Sequence, residues 1–348
     1  MKNGIADNIV FIADVMNELR PTVGDELFHY VSLDKSKYIL EAGGDIYCGH
    51  SNFMNDKLES WQGCLTFLKY LKRILSEEPY RVLETNLREN SAVAKLTTSG
   101  YSYFMPYVMC VMPEKDSVYQ WRNYTDREKG GYCFGFNLST LRAMIKQRNE
   151  RFNTYSTIYL APCFYIGEDD TLIDDFMSAF IEVFAKEDLE KIETNLYTDV
   201  GEKAVIDIIG AVMTLAPLFK DKKWKREKER LLILKKSPVL VKQTYERSHL
   251  SDVCEHPFNL MSSITISPHG NQAELLHNLR SRIAIPENGK VFASTVDRRI
   301  TDYYITKEDI DDAYEKYVLG EIKNGRGKSI ISQEEFRSSH SEEGSNHV

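Results

Sequence analysis

The sequence predicts an α+β fold with a mixed or antiparallel central sheet and a helical insert at about residues 168–219. Strand-like segments gather before residue 167 and return from Arg230 onward, while the stretch between them reads as helix. There is no regular strand–helix alternation and no internal repeat. Neither GHSNF (49–53) nor KGGYCFGF (129–136) has the glycine spacing of a nucleotide-phosphate loop or dinucleotide fingerprint, and no serine-hydrolase elbow is present.

The elements follow in order. Residues 1–24 read as an amphipathic helix, because Asp7 and Asp14 interrupt MKNGIADNIVFIADVMNEL and exclude the unbroken apolar core of a signal peptide. LFHYVS (27–32) is a strand, followed by a short helix and a second strand near Cys48. Lys57–Leu75 carries Leu58, Trp61, Leu65, Leu68, Leu71 and Leu75 at helical spacing. Leu96–Met112 and GGYCFGFN (130–137) are aromatic-rich and read as strands. Ser139 is the expected N-cap of a helix to about Glu150, and TYSTIYLAPCFYI (154–166) is the next strand. Thr171–Lys186 and Glu202–Phe219 are helical patterns, the second broken near its end by Pro217. RLLILKK, PVLVKQTY (238–245) and SSITISP are strands; Asn271 opens a helix through Leu279; KVFAST is a strand and Lys307–Lys323 a helix. Residues 25–324 thus form one α+β domain, and 325–348, rich in Ser, Glu and Gly, a disordered tail.

A net charge of −8 argues against nonspecific coating of nucleic acid. No run of about eighteen apolar residues is present, so no membrane span and a cytoplasmic location are expected. The six cysteines are scattered through apolar segments, as reduced core thiols are. Cys48 with His50 and Cys254 with His256 could in principle form a zinc site, but the usual ligand spacings are absent, so no metal is expected.

Chemistry concentrates in three places. His29 and Tyr30 end an apolar strand where Leu or Val would serve packing, and the polar cluster Asn52, Asn55, Asp56 and Glu59 follows the second strand. Trp121 and Tyr124 lie just before the glycine-rich strand. The run Lys220–Arg230 mixes seven cations with Asp221, Glu227 and Glu229. It reads either as a solvated turn or as a phosphate or nucleic-acid contact with Trp224 available for stacking.

The succession LFHYVS, ILEAGGDIYCGHSNFMNDKLE, VYQWRNYTDREKGGYCFGF, LFKDKKWKREKERLLI and ITISPHGNQAELLHNL resembles the prokaryotic family catalogued as domain of unknown function 2971, over roughly residues 27–285. The chain departs from the family's Glu-x-Glu-Trp-Arg: it keeps Glu227 and Glu229 but has Arg230 and Leu231 where Trp and Arg are expected. A phosphate-binding role for the missing Arg would pass to Arg226 or Arg230.

The layout also resembles ADP-ribosyltransferases, in which a first-strand His holds a ribose of NAD, aromatic rings hold nicotinamide and a late Glu stabilises the ribosyl oxocarbenium. That resemblance implies a fold of that type and NAD as substrate. His29, Tyr30, Asn55, Trp121 and Tyr124 would bind NAD, with Glu229, or Glu227 as second choice, as the catalytic carboxylate. Asp56, Glu59, Arg226 and Arg230 would shape the pocket. ADP-ribose would pass to an unknown acceptor, protein or nucleic acid. The expected setting is a bacterial toxin or phage-defence effector with a neutralising antitoxin partner. Two further classes stay open: a metal-dependent nuclease or phosphohydrolase using Asp56, Glu59, Glu227 and Glu229, and a noncatalytic sensor or interaction protein whose polar residues satisfy one another.

Overall fold

The computed structural model describes residues 5–40, 47–51, 59–96, 106–152, 156–236, 247–249, 260–282 and 290–296. The expected strand at 238–245, the helix at 307–323, the tail from 325, Cys254 and His256, and the cluster residues Asn52, Asn55 and Asp56 lie outside the described residues.

Helix α1 (Ile5–Leu19) turns Ile12, Ala13 and Met16 into the core. Strand β1 (Glu26–Ser32), helix α2 (Leu33–Leu40) and strand β2 (Tyr47–His50) follow. Helix α3 (Glu59–Leu71) is the expected leucine-spaced helix, and Gly63 lets it approach the backbone of Ala216, whose carbonyl oxygen would lie 2.1 Å from a Cβ at position 63. Helix α4 (Glu77–Leu96) has no counterpart in the sequence reading and takes in Leu96, where the expected strand began; residues 97–105 lie outside the described residues, and strand β3 is Tyr107–Val111.

Helix α5 (Val118–Tyr124), strand β4 (Gly131–Asn137) and helix α6 (Leu138–Phe152) come next. Asn137, not Ser139, caps α6. Its Oδ1 accepts from the Thr140 amide at 3.1 Å, and the Ser139 hydroxyl donates to the same oxygen at 2.6 Å.

Strands β5 (Ser156–Pro162) and β6 (Phe164–Ile166) divide the expected strand. Helix α7 (Asp170–Ala179) runs through a π-turn (Phe180–Ala185) into α8 (Lys186–Asn195), so the helical run continues past Lys186, the expected end of the first helix of the insert. Helix α9 (Asp199–Leu215) is capped by the Thr198 side chain and gives way to a 3₁₀ turn holding Pro217. Strands β7 (Phe219–Asp221), β8 (Arg230–Lys236), β9 (Arg247–His249) and β10 (Met261–Ile266), helix α10 (Gln272–Arg282) and strand β11 (Lys290–Ala293) complete the described chain.

The fold is α+β, with open sheets of mixed direction. A four-stranded sheet runs β1-β4-β10-β11, antiparallel except for the parallel β10–β11 pair; an antiparallel sheet runs β5-β8-β3-β2-β9; β6 and β7 form a parallel pair. The two larger sheets meet at one point, where the amides and carbonyls of Phe28 and Met112 exchange hydrogen bonds of 2.7 and 2.8 Å. The expected central sheet is therefore divided. β2 pairs with β3 at Tyr107 and Val108, then turns its other residues to β9, and β1 takes over at Met112. Between these levels the His29 side chain meets β3, its Nδ1 2.8 Å from the Cys110 carbonyl oxygen.

One core cluster joins α1, α3, α4 and the insert to one face of β3, β5 and β8; a second fills the other face beneath β4 and β10. A third, of Phe28, Tyr30, Met112, Trp121 and Cys133, lies under α5. The edge of β5 away from β8 is covered by amide side chains: Asn149 bonds the amide and carbonyl of Ile158, and Asn17 donates to the Leu160 carbonyl. Among the described residues no helix is long and apolar enough to cross a membrane.

Candidate functional site

The site is built where β1 and the turn before β8 meet β3 at Cys110. His29, on β1, is partly buried, and its Nδ1 lies 2.8 Å from the carbonyl oxygen of Cys110. A carbonyl can only accept, so Nδ1 carries the proton and Nε2 keeps its lone pair in the neutral ring. Enclosure by protein and the Lys35 charge hold His29 below the ordinary imidazole range, against the opposing pull of the Cys110 carbonyl and the Glu229 charge. At neutral pH it is therefore a hydrogen-bond acceptor at Nε2.

Beside it lies a buried carboxyl pair. A 3₁₀ turn (Lys222–Glu227) leads to Lys228, whose φ of 47° is left-handed, and β8 begins two residues later. This turn brings both acids inward, leaving Glu227 3% and Glu229 2% exposed. The phenol of Tyr124 lies 2.9 Å from Glu227 Oε1 and 3.1 Å from Glu229 Oε1. The ammonium of Lys220, on β7, bonds Glu229 and lies 3.9 Å from Glu227. The Glu229 amide donates to the Tyr165 hydroxyl at 2.9 Å, and the Cys110 thiol also bonds the Glu229 carboxylate.

Two carboxyls facing one ammonium cannot both stay charged out of water. Burial and the neighbouring Glu229 charge push Glu227 well up, so it holds its proton. Burial also pushes Glu229 upward, but the Lys220 ammonium and the surrounding hydrogen bonds outweigh it and keep Glu229 below the usual carboxylate range. Tyr124, raised first by burial and then by both acids, remains a phenol that donates. The cluster is thus one carboxylic acid, one carboxylate, one ammonium and one bridging phenol.

The sign of the linkage for Glu227 is testable. Its folded value is raised, so between the unfolded carboxylate range and that raised value the folded chain binds more protons, and stability falls as pH rises. Glu227→Gln keeps the neutral shape and removes this titration. Urea unfolding should show the variant gaining on wild type by more than about 1 kcal/mol between pH 5 and pH 8; parallel pH profiles would show that Glu227 is ionised in the fold.

The other expected site residues separate. Tyr30 donates to the Glu114 carbonyl and accepts from the Ser117 amide, at 2.8 and 3.0 Å, and packs edge-on against Trp121 with ring centroids 4.8 Å apart. Trp121 is fully buried, its indole N–H 2.7 Å from Asp116 Oδ1. This ring pair packs α5 onto β1, whereas Tyr124 reaches the acids directly. Asp116 also receives the Thr295 amide and the Ser294 and Thr295 hydroxyls, tying the loop before α5 to the end of β11.

Arg230 points away from the pair, on the other face of β8. Its guanidinium bonds Asn17 Oδ1 at 2.7 Å and the carbonyl of Arg20, so it caps the C-terminal end of α1. Arg226 is exposed on the 3₁₀ turn. Glu59 opens α3, with its side chain outside the described residues, as are Asn55 and Asp56. The run Lys220–Arg230 is neither a wholly solvated turn nor an open basic patch, since Lys220, Glu227, Glu229 and Arg230 are all buried.

Sequence reasoning missed Lys220, Cys110, Tyr165 and Gln120. A signal for Lys220 existed: it directly follows the apolar run Ala216–Phe219, and a lysine continuing a buried strand needs an acid nearby. Nothing local marks the other three. Among the described residues no group of three His, Cys, Asp or Glu side chains is placed to hold a metal ion.

Residues 120–230 match the family described as Protein of unknown function (DUF2971). The resemblance traced along residues 27–285 is thereby supported over the segment running from Gln120 on α5 to the start of β8, which contains Tyr124, Lys220, Glu227 and Glu229. No curated protein and no solved structure matches the chain.

Proposed function

We propose that this chain consumes NAD, cleaving the nicotinamide–ribose bond as an ADP-ribosyltransferase or NAD glycohydrolase does, on a fold of the ADP-ribosyltransferase type. The observation that carries the reading is geometric: His29, held through Nδ1 by the Cys110 carbonyl, stands beside Glu229, whose carboxylate is bound by Lys220 and by the Cys110 thiol.

The chemistry asks for these two groups. As the C–N bond breaks, its electron pair passes to the nicotinamide nitrogen and positive charge builds on the ribose. A fixed carboxylate then interacts more strongly with the transition state than with the ground state. Glu229 supplies that charge, His29 Nε2 accepts from a ribose hydroxyl, and Tyr124, whose phenol fixes the carboxylate, presents its ring to the nicotinamide. An acceptor nucleophile or water captures the ribosyl carbon and releases one proton.

His29→Ala should raise KM for NAD about tenfold with a smaller change in kcat, because the lost contact is made with bound substrate as well as in the transition state. A lowered melting temperature with unchanged KM would make His29 a packing residue.

A second reading has one observation in its favour. Glu227, Glu229, Lys220 and Tyr124 satisfy one another, as expected of a noncatalytic sensor or interaction protein. Against it, buried ionic clusters seldom improve on apolar packing, and carboxyls driven to different protonation states are common in active sites.

A further inference from the structure

Gln120 is 1% exposed, yet its side-chain oxygen has no hydrogen-bond partner. Its Nε2 faces the Glu227 carbonyl oxygen at 3.4 Å, which fixes the amide orientation and turns Oε1 away from that carbonyl. An unmet buried carbonyl of this kind is destabilising unless something donates to it. Gln120 and Tyr124 lie four residues apart on α5, hence on the same face, and Tyr124 touches both acids. The unsatisfied acceptor therefore sits on the element that covers the carboxyl pair, anchored to the backbone of Glu227.

We propose that Gln120 reads the primary carboxamide of the nicotinamide group, its Oε1 accepting from the carboxamide N–H when NAD is bound. This deepens the NAD-cleaving reading and rests on it. With the Glu229 carboxylate against the ribose, as that reading requires, the departing ring would lie toward Tyr124 and Gln120 on α5. A nicotinic acid group carries a carboxylate in place of the amide. It offers no donor to Oε1 and brings a second negative charge toward the acids, so the site selects amide over acid. Gln120 is thus a specificity residue, while bond cleavage stays with Glu229.

The test compares kcat/KM for NAD and for nicotinic acid adenine dinucleotide in wild type, Gln120→Met and Gln120→Glu, with melting temperatures alongside. Wild type should prefer NAD on the order of 100-fold. Gln120→Met, which removes the acceptor at similar volume, should reduce that preference to less than about fivefold, whereas Gln120→Glu, which keeps an acceptor oxygen, should retain most of it. Because preference is a ratio within one variant, a loss of stability alone does not change it. Equal use of both dinucleotides by wild type, or an undiminished preference in Gln120→Met, overturns the inference and leaves NAD cleavage standing. If wild type cleaves neither dinucleotide, the inference falls together with the reading beneath it.

Discussion

Glu229→Gln should lower the rate of nicotinamide release by about 10²- to 10³-fold while leaving NAD affinity within about threefold of wild type. The amide keeps the shape of the carboxylate: its oxygen can still accept from Lys220, while its NH2 turns to the Tyr124 phenol oxygen, whose own proton goes to Glu227, and the charge facing the developing oxocarbenium is lost. The stability cost should be modest for a specific reason. Glu227 is held protonated largely by burial and by the Glu229 charge, and it lies 3.9 Å from the Lys220 ammonium. With Glu229 neutral, Glu227 loses its repelling neighbour and can ionise in its place. Stability and activity therefore part company in this variant, which isolates the role of position 229. A variant as active as wild type would remove Glu229 as the essential carboxylate.

Lys220→Met should have the largest effect on stability, because among the described residues Lys220 is the cation that meets both acids, whereas Glu227 can replace Glu229. Removing one partner of a buried ion pair costs about 3–5 kcal/mol when the remaining charge stays. The pH dependence identifies the cause. In wild type the depressed value of Glu229 contributes stability that is present above the unfolded carboxylate range and is lost as pH falls through the folded value. Without Lys220 both buried acids favour their protonated forms, so stability should instead fall as pH rises above the ordinary carboxylate range. Urea unfolding at pH 5 and pH 8 reads this directly: the gap between Lys220→Met and wild type should be wider at pH 8. An equal gap at both pH values would mean that the lysine contributes packing and not charge.

Much of this was legible from residue order. Alternating apolar and aromatic residues marked β1, β4, β8 and β10, and the leucine spacing of α3 and the Asn271 cap of α10 were read correctly, because those signals are local. The helix α4 escaped because its apolar residues, Tyr80, Leu83 and Leu87, are spread among many charges. The division of the sheet escaped for a different reason: it depends on β3 sharing one edge between β2 and β1, both of which precede it in the chain by two helices or more.

The same holds within the site. Glu227, Glu229, Tyr124 and His29 stood out by residue type. The convergence of the first three on Lys220 needed β7 and the left-handed turn at Lys228, and Arg230 was drawn elsewhere by the end of α1. Residue type marked the acids; only the fold paired each with its counter-charge.

The most direct test is nicotinamide release from NAD by purified wild-type protein and Glu229→Gln, with cell lysate supplying acceptors and with a chelator arm. The account predicts release by wild type that persists with chelator and falls by at least about 100-fold in the variant. Release that is absent in every arm, or is unaffected by the loss of Glu229, would contradict it.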